Sequence, residues 1–269
     1  MRVLGIDLAW ADSTATRPAN ETGVVAVDVD GSIIDAGWTV GIDETIEWML
    51  AQAADDTIAM IDAPLVVTNE TGQRLCEKQV GQRYGRWKVS ANSTNCSSKG
   101  LGGVALRQRL EGVGWQYSDG HGGPPTSGRS VSECYPYTAL VGAKEFGYDV
   151  ERPVYKRKPK KMKVAPFRVD RAVVADDLID RLDALSVADP PLLLRSHPAT
   201  ELLVTDPSPI EDRPYKHRED LIDAAICAWT GLLWLRHGHD WCQILGDTGA
   251  GLLATIIAPA RPSQLPLMA

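Results

Sequence analysis

The stretch Val3-Leu4-Gly5-Ile6-Asp7-Leu8-Ala9-Trp10 constrains this chain more than any other. An apolar run with one carboxylate at its middle reads as a central strand, buried on both faces, that carries a single costly polar group. A carboxylate in that setting needs a partner, which a turn, an arginine or a metal ion can supply. The choice turns on where the other apolar-flanked acids of the chain fall.

The next segments give Asp7 a frame. Residues 11 to 22 are polar with Pro18 and read as a loop. Two β-rich runs, 23 to 29 and 32 to 38, are joined around Asp30-Gly31, a dipeptide suited to a tight hairpin. Strands one to three therefore form an antiparallel meander. A helix is expected over about residues 42 to 53, capped by Asp43, with Ile46, Met49 and Leu50 at helical spacing. Then comes Thr57-Ile58-Ala59-Met60-Ile61-Asp62-Ala63-Pro64, a second apolar strand ending in a carboxylate, with Pro64 stopping the ladder. A strand reached through a crossover helix usually runs parallel to the earlier one, so Asp62 should emerge beside Asp7 at one sheet edge. Ligands gather at such carboxyl ends.

Residues 66 to 128 are irregular and rich in Gly, Ser and Asn, with helices expected near 71 to 84 and 103 to 111. Arg83, Arg86 and Lys88 lie between those helices, where they steer phosphate or form an ordinary solvated face. The Gly-rich segment 120 to 129 lacks the Lys-Ser/Thr ending of a phosphate loop and carries two prolines, so a nucleotide P-loop is rejected. Residues 130 to 136 form a further strand whose Glu133 precedes the helix opened by Pro136. Glu133 is either another site acid or an acceptor for that helix N-terminus.

The run 156 to 163 holds six cations in eight residues around Pro159 and cannot be a core helix. It reads as an exposed loop, over about 152 to 165, in which Lys158, Lys160 and Lys161 are candidate contacts to a nucleic-acid backbone or simply solvated charges. A helix over about 165 to 186 carries Asp176, Asp177, Asp180 and Asp183 toward solvent. Residues 189 to 214 are Pro-rich, with a short ordered piece at 201 to 204. The last helix, about 217 to 235, is apolar almost all round after Asp223. Asp220 and Asp223 share a face with Cys227, Thr230 and Trp234, so Asp223 enters the interior. Ala224, Ala225 and Ala228 let this helix approach the sheet closely. His237, His239 and Cys242 are too cramped for zinc, and Gly249-Ala250-Gly251 precedes a strand over 252 to 257, which excludes a dinucleotide fingerprint.

The formal net charge of −7 opposes coating of a polyanion overall, although a local basic patch still meets phosphate. Five scattered cysteines without a Cys-x-x-Cys pair indicate neither a disulfide framework nor a zinc knuckle. No signal-peptide pattern or membrane-length apolar run is evident, so a soluble cytoplasmic protein is expected.

Gly-Ile-Asp on the first strand, Ile-Asp-Ala-Pro-Leu on the fourth, Glu-Cys-Tyr-Pro, and Asp-Leu-Ile-Asp-Ala-Ala near the C-terminus resemble, in order and spacing, the family named domain of unknown function 429. Its members are described as RNase H-like nucleases. The final helix is similar to that of the RuvC-type branch of the RNase H-like superfamily. The resemblance covers nearly the whole chain. It implies one α/β domain with a mixed five-stranded sheet in the order 3-2-1-4-5 and helices on both faces. It also implies a metal-binding acid cluster of Asp7, Asp62 and the pair Asp220 and Asp223, with Glu133 matching the Glu-x-x-Pro motif. A fold alone does not establish chemistry.

The leading expectation is Mg²⁺- or Mn²⁺-dependent phosphodiester hydrolysis of a nucleic acid or another phosphoester. Asp7 would bridge two ions roughly 4 Å apart, Asp62 and Asp223 would complete the sites, and Glu133 or Asp220 would orient water or support the second ion. Two rivals remain. An actin-like ATP-binding or phosphotransfer protein begins with a similar strand but repeats its sheet, and a non-catalytic binding domain could retain the fold.

Overall fold

The computed structural model describes residues 1–10 and 19–265. The loop expected over 11 to 22 lies largely outside the described residues. Strand β1 (Arg2–Asp7) is the centre of the sheet, with Val3, Leu4 and Ile6 wholly buried. It pairs antiparallel with β2 (Glu21–Asp28), which pairs antiparallel with β3 (Ile33–Val40). The turn is closed by Gly31 N–H donating to Asp28 O at 2.9 Å, with Gly31 at φ 88°. On the other side β1 pairs in parallel with β4 (Thr57–Ile61), and β4 in parallel with β6 (Arg129–Glu133).

Five strands were expected and the sheet has six, in the order β3-β2-β1-β4-β6-β5. The addition is β5 (Gln116–Tyr117), two residues long, at the outer edge beside β6. A two-residue strand offers no alternation for a sequence pattern to reveal. A separate antiparallel ribbon of β7 (Cys242–Gly246) and β8 (Thr255–Pro259) touches the sheet through a bridge from Cys134 to Ile257. The last strand thus begins three residues later than expected, because Gly249 and Gly251, both at positive φ, extend the preceding turn.

Strand alternation sorts the apolar side chains into two cores. Leu4, Ile6, Ala59, Ile61 and Val131 face α1 (Gly41–Gln52) and α3 (Gly102–Glu111), whereas Val3, Ile58, Met60 and Cys134 face the opposite core. That second core is built on α7 (Asp212–His237), together with α2 (Leu75–Tyr84), α4 (Pro136–Gly142) and α5 (Val164–Asp183). Helix α6 (Pro198–Thr205) takes in the short ordered piece expected at 201 to 204 within the Pro-rich segment. Asp43 does not cap α1. The preceding backbone N–H of Val40 is held instead by Glu44 Oε2 at 3.0 Å.

Helix α7 lies against the backbone of β1 and β2. A Cβ on Gly5 would overlap Ala224 O and Ala228 N, and one on Gly23 would overlap Asp220 O. Main-chain atoms cannot turn aside as a side chain can. Gly5→Ala should therefore destabilise the fold by about 3 kcal/mol, the upper part of the range for overpacked cores. A urea midpoint within error of the unsubstituted protein would show that the helix can shift freely.

Candidate metal centre

The register of the parallel strands builds the site. Ile6 stands beside Ile61, so Asp7 and Asp62 leave their strands together, and Asp62 N–H donates to Ile6 O at 2.8 Å. Asp7 follows the parity of Val3 and Gly5, and Asp62 that of Ile58 and Met60, so both point toward α7. The close packing on Gly5 and Gly23 brings Asp223 down onto them. One carboxylate oxygen from each of Asp7, Asp62 and Asp223 lies within 4.8 Å of the others. Among the described residues this is the one group of three or more His, Cys, Asp or Glu side chains so arranged.

Asp223 is fully buried while Asp7 and Asp62 are half-buried, which leaves the trio open on one side. Tyr155 Oη donates to Asp223 Oδ1 at 2.6 Å, and Lys156 Nζ pairs with Asp223 Oδ2. Lys216 pairs with Asp220 at 2.5 Å and Glu219 at 3.0 Å. A cleft of about 30 Å³ beside Asp62, lined by Trp10, Pro64, Arg74, Glu133 and Tyr135 among others, has room for water.

Burial and then the neighbouring Asp223 and Asp62 push the Asp7 carboxyl well above the usual carboxylate range, against the pull of Lys156 and Lys216. Burial also raises Asp62, to about 7, with Asp223 and Glu133 adding to it and Lys156 opposing. Burial raises Asp220 and Glu219, with Lys216 restraining both. For Lys156, burial works against the charge, but Asp223, Asp7 and Asp62 more than compensate and hold the ammonium protonated.

A raised folded-state value means that Asp62 favours folding below its unfolded value near 3.8 and loses that contribution as pH climbs to about 7. Asp62→Asn should therefore flatten the decline in metal-free stability between about pH 4 and pH 7. Urea melts across that window check this, and an unchanged slope would overturn it.

Glu133 goes elsewhere. Ile61 pairs with Glu133, so the residue beside Asp62 is Cys134, and Glu133 is one position out of step with Asp62. Arg74 clamps it with Nη1 at 2.8 Å and Nη2 at 2.6 Å, and Leu65 N–H donates at 3.0 Å. Arg74 also binds Glu77 at 2.9 Å and Val66 O at 3.1 Å, which holds the turn after Asp62. The structure does not bring Glu133 into the trio.

The candidate cations are dispersed. Arg83 lines a separate cavity of about 740 Å³ with His121 and His239, Arg86 stacks 3.9 Å over Trp87, and Lys88 pairs with Glu151. Lys158 turns back to Met162 O at 2.7 Å, while Lys160 and Lys161 are exposed. The basic run is not wholly an exposed arm, because Lys156 and the buried Tyr155 fold into the acid cluster. Lys156, Tyr155, Lys216 and Arg74 escaped the sequence reading. For the first two the available signal was an aromatic residue placed directly before the cationic run. His237 and His239 stack on or against Trp241 and Trp234, and Cys242 is buried in the ribbon.

A family model described as "Protein of unknown function (DUF429)" matches residues 5–244, a span that takes in Asp7, Asp62, Glu133, Asp220 and Asp223. The chain belongs to this family. No curated protein and no solved structure matches it. In this DUF429 chain no helix of the described residues is long and apolar enough to cross a membrane.

Proposed function

We propose that this protein is a Mg²⁺- or Mn²⁺-dependent hydrolase of phosphodiester bonds, with an RNase H-like arrangement of sheet and acids, acting on nucleic acid or another phosphoester. The observation that carries this reading is the convergence of Asp7, Asp62 and Asp223 on one face of the sheet. The donor set fits a hard divalent ion: three carboxylates, no imidazole and no thiolate, with oxygens close enough to share one centre at coordination distances near 2.1–2.4 Å. Topology supports it as well. The antiparallel β1–β3 meander, the parallel β4 and the parallel β6 in the next place follow the 3-2-1-4-5 pattern, with β5 added outside.

A bound ion supplies Lewis acidity and lowers the pKa of a water at neutral pH. Asp7, Asp62 and Asp223 would hold it, Tyr155 keeps the Asp223 carboxylate in one orientation, and Lys216 offsets the Asp7 charge from the α7 side. Water then adds across a P–O ester bond, giving a phosphomonoester and an alcohol that takes the proton. Lys158, Lys160 and Lys161, on the loop that begins at the trio, are the closest of the candidate substrate cations in chain position; Arg83, Arg86 and Lys88 would contribute only from the rim.

The test is incubation with single- and double-stranded DNA and RNA and with a simple phosphodiester, in Mn²⁺ or Mg²⁺ and in chelator, alongside thermal melts. Metal-dependent product and a metal-dependent rise in Tm are expected. Stabilisation without any product would favour a non-catalytic binding domain, and a rise with ATP alone would favour the actin-like reading. No metal response of either kind would sink the proposal.

A further inference from the structure

The carboxylate trio is partly neutralised from within the chain. Lys156 Nζ pairs with Asp223 Oδ2, and its side chain keeps 20% of its surface exposed on the open side. Its seat is fixed by its neighbour. Tyr155 is fully buried, donates to Asp223 Oδ1 at 2.6 Å, and accepts Tyr215 Oη on its carbonyl at 2.6 Å. The Lys156 ammonium also sits 5.5 Å from the Tyr137 ring centroid and 5.6 Å from that of Tyr155. Consecutive residues of one loop therefore engage both oxygens of one aspartate.

The acids that could extend the centre to a second ion are committed elsewhere. Glu133 is held by Arg74 and by Leu65 N–H, and Asp220 is engaged by Lys216. Within the trio three carboxylates meet one ammonium, a residual charge of minus two when all are ionised, which one divalent ion cancels, while Lys216 answers Asp220 and Glu219 beside it. A second divalent ion would have to displace Lys156 from Asp223 or Lys216 from Asp220 to find a carboxylate of its own. An ammonium is a compact point charge with three donors, suited to a phosphoryl oxygen.

We propose that Lys156 is the built-in second cation of the centre: the pocket takes one divalent ion, and the Lys156 ammonium does the work of the other by binding a phosphoryl oxygen of the substrate. This rests on the metal-dependent reading above. It departs from the two-ion expectation because the counter-charge comes from the chain itself.

The test is an Mn²⁺ titration of the full chain, with bound ions counted by calorimetry and by the electron paramagnetic resonance of free Mn²⁺. One ion per chain is expected. Lys156→Met, which removes the competing charge, should bind Mn²⁺ about tenfold more tightly and bind a phosphodiester more weakly. Lys156→Arg should keep one ion. Two ions on the unsubstituted chain, or unchanged Mn²⁺ affinity in Lys156→Met, would overturn the inference and leave the metal-dependent reading standing. No bound ion at all would bring down both. Should Lys156→Met fail to fold, the counts on the unsubstituted chain and on Lys156→Arg decide the matter.

Discussion

Replacing Arg74 by alanine should cost about 3–5 kcal/mol of stability, the range found when one partner of a buried ion pair is removed. Arg74, Glu77 and Glu133 are each no more than 4% exposed. The guanidinium is the shared cation of two carboxylates, clamping Glu133 through two nitrogens and meeting Glu77 with a third. Without it those carboxylates face each other away from water, and each must protonate or draw water inward. Glu77 would retain the backbone donors of residue 74 and Thr94, and Glu133 that of Leu65, so the loss stops short of complete unfolding. The turn at Val66, which follows Asp62 closely, also loses its anchor. Chemical denaturation at neutral pH measures the effect. A loss below about 1 kcal/mol would show that water enters and satisfies the cluster.

Asp7→Asn should separate activity from folding. Asparagine keeps the shape of aspartate but contributes no charge to the trio, so metal-dependent cleavage should fall by a factor on the order of 10³ or more. The metal-free protein should be at least as stable as the unsubstituted one near pH 8. There the ionised Asp7 is held against burial and against Asp223 and Asp62, each of which raises its carboxyl. Initial rates in Mn²⁺ and urea melts in chelator, taken on the same preparation, provide the two readings. Cleavage at the original rate would reject Asp7 as a ligand, and a collapse of stability would mark it as structural.

These two residues show how similar charges acquire opposite roles. Glu133 and Asp62 both end parallel strands in apolar settings and look alike in the sequence. The difference is one position of register. Asp7, Asp62 and Cys134 are side by side in register toward α7, while Glu133, one position out of step with them, is clamped by Arg74 at the start of α2, in the cleft that also reaches Asp62. Because side chains alternate with period two, that single step moves an acid from the candidate centre to a structural ion pair.

Much else was legible beforehand. The meander around Asp30-Gly31, the crossover through α1 to a parallel β4, and the depth of Asp223 on an almost wholly apolar helix all follow from hydrophobic periodicity and turn chemistry, which act over a few residues at a time. The small residues of α7 foretold its close approach to the sheet, though the partners of that approach, Gly5 and Gly23, emerge only in the folded chain. The basic run from Lys156 onward was legible as a loop, but composition cannot distinguish a lysine in solvent from one tied to a carboxylate nearly seventy residues away.

What the sequence determined by itself was therefore most of the central strands and long helices, with the acids at their ends, since those depend on local spacing. Tertiary structure decided which acids meet, that Lys156 and Tyr155 join Asp223, and that Arg74 removes Glu133 from the group. The reason is physical. Electrostatic partnership is set by distances of a few ångströms between residues remote in the chain, and only sheet register and helix docking fix those distances.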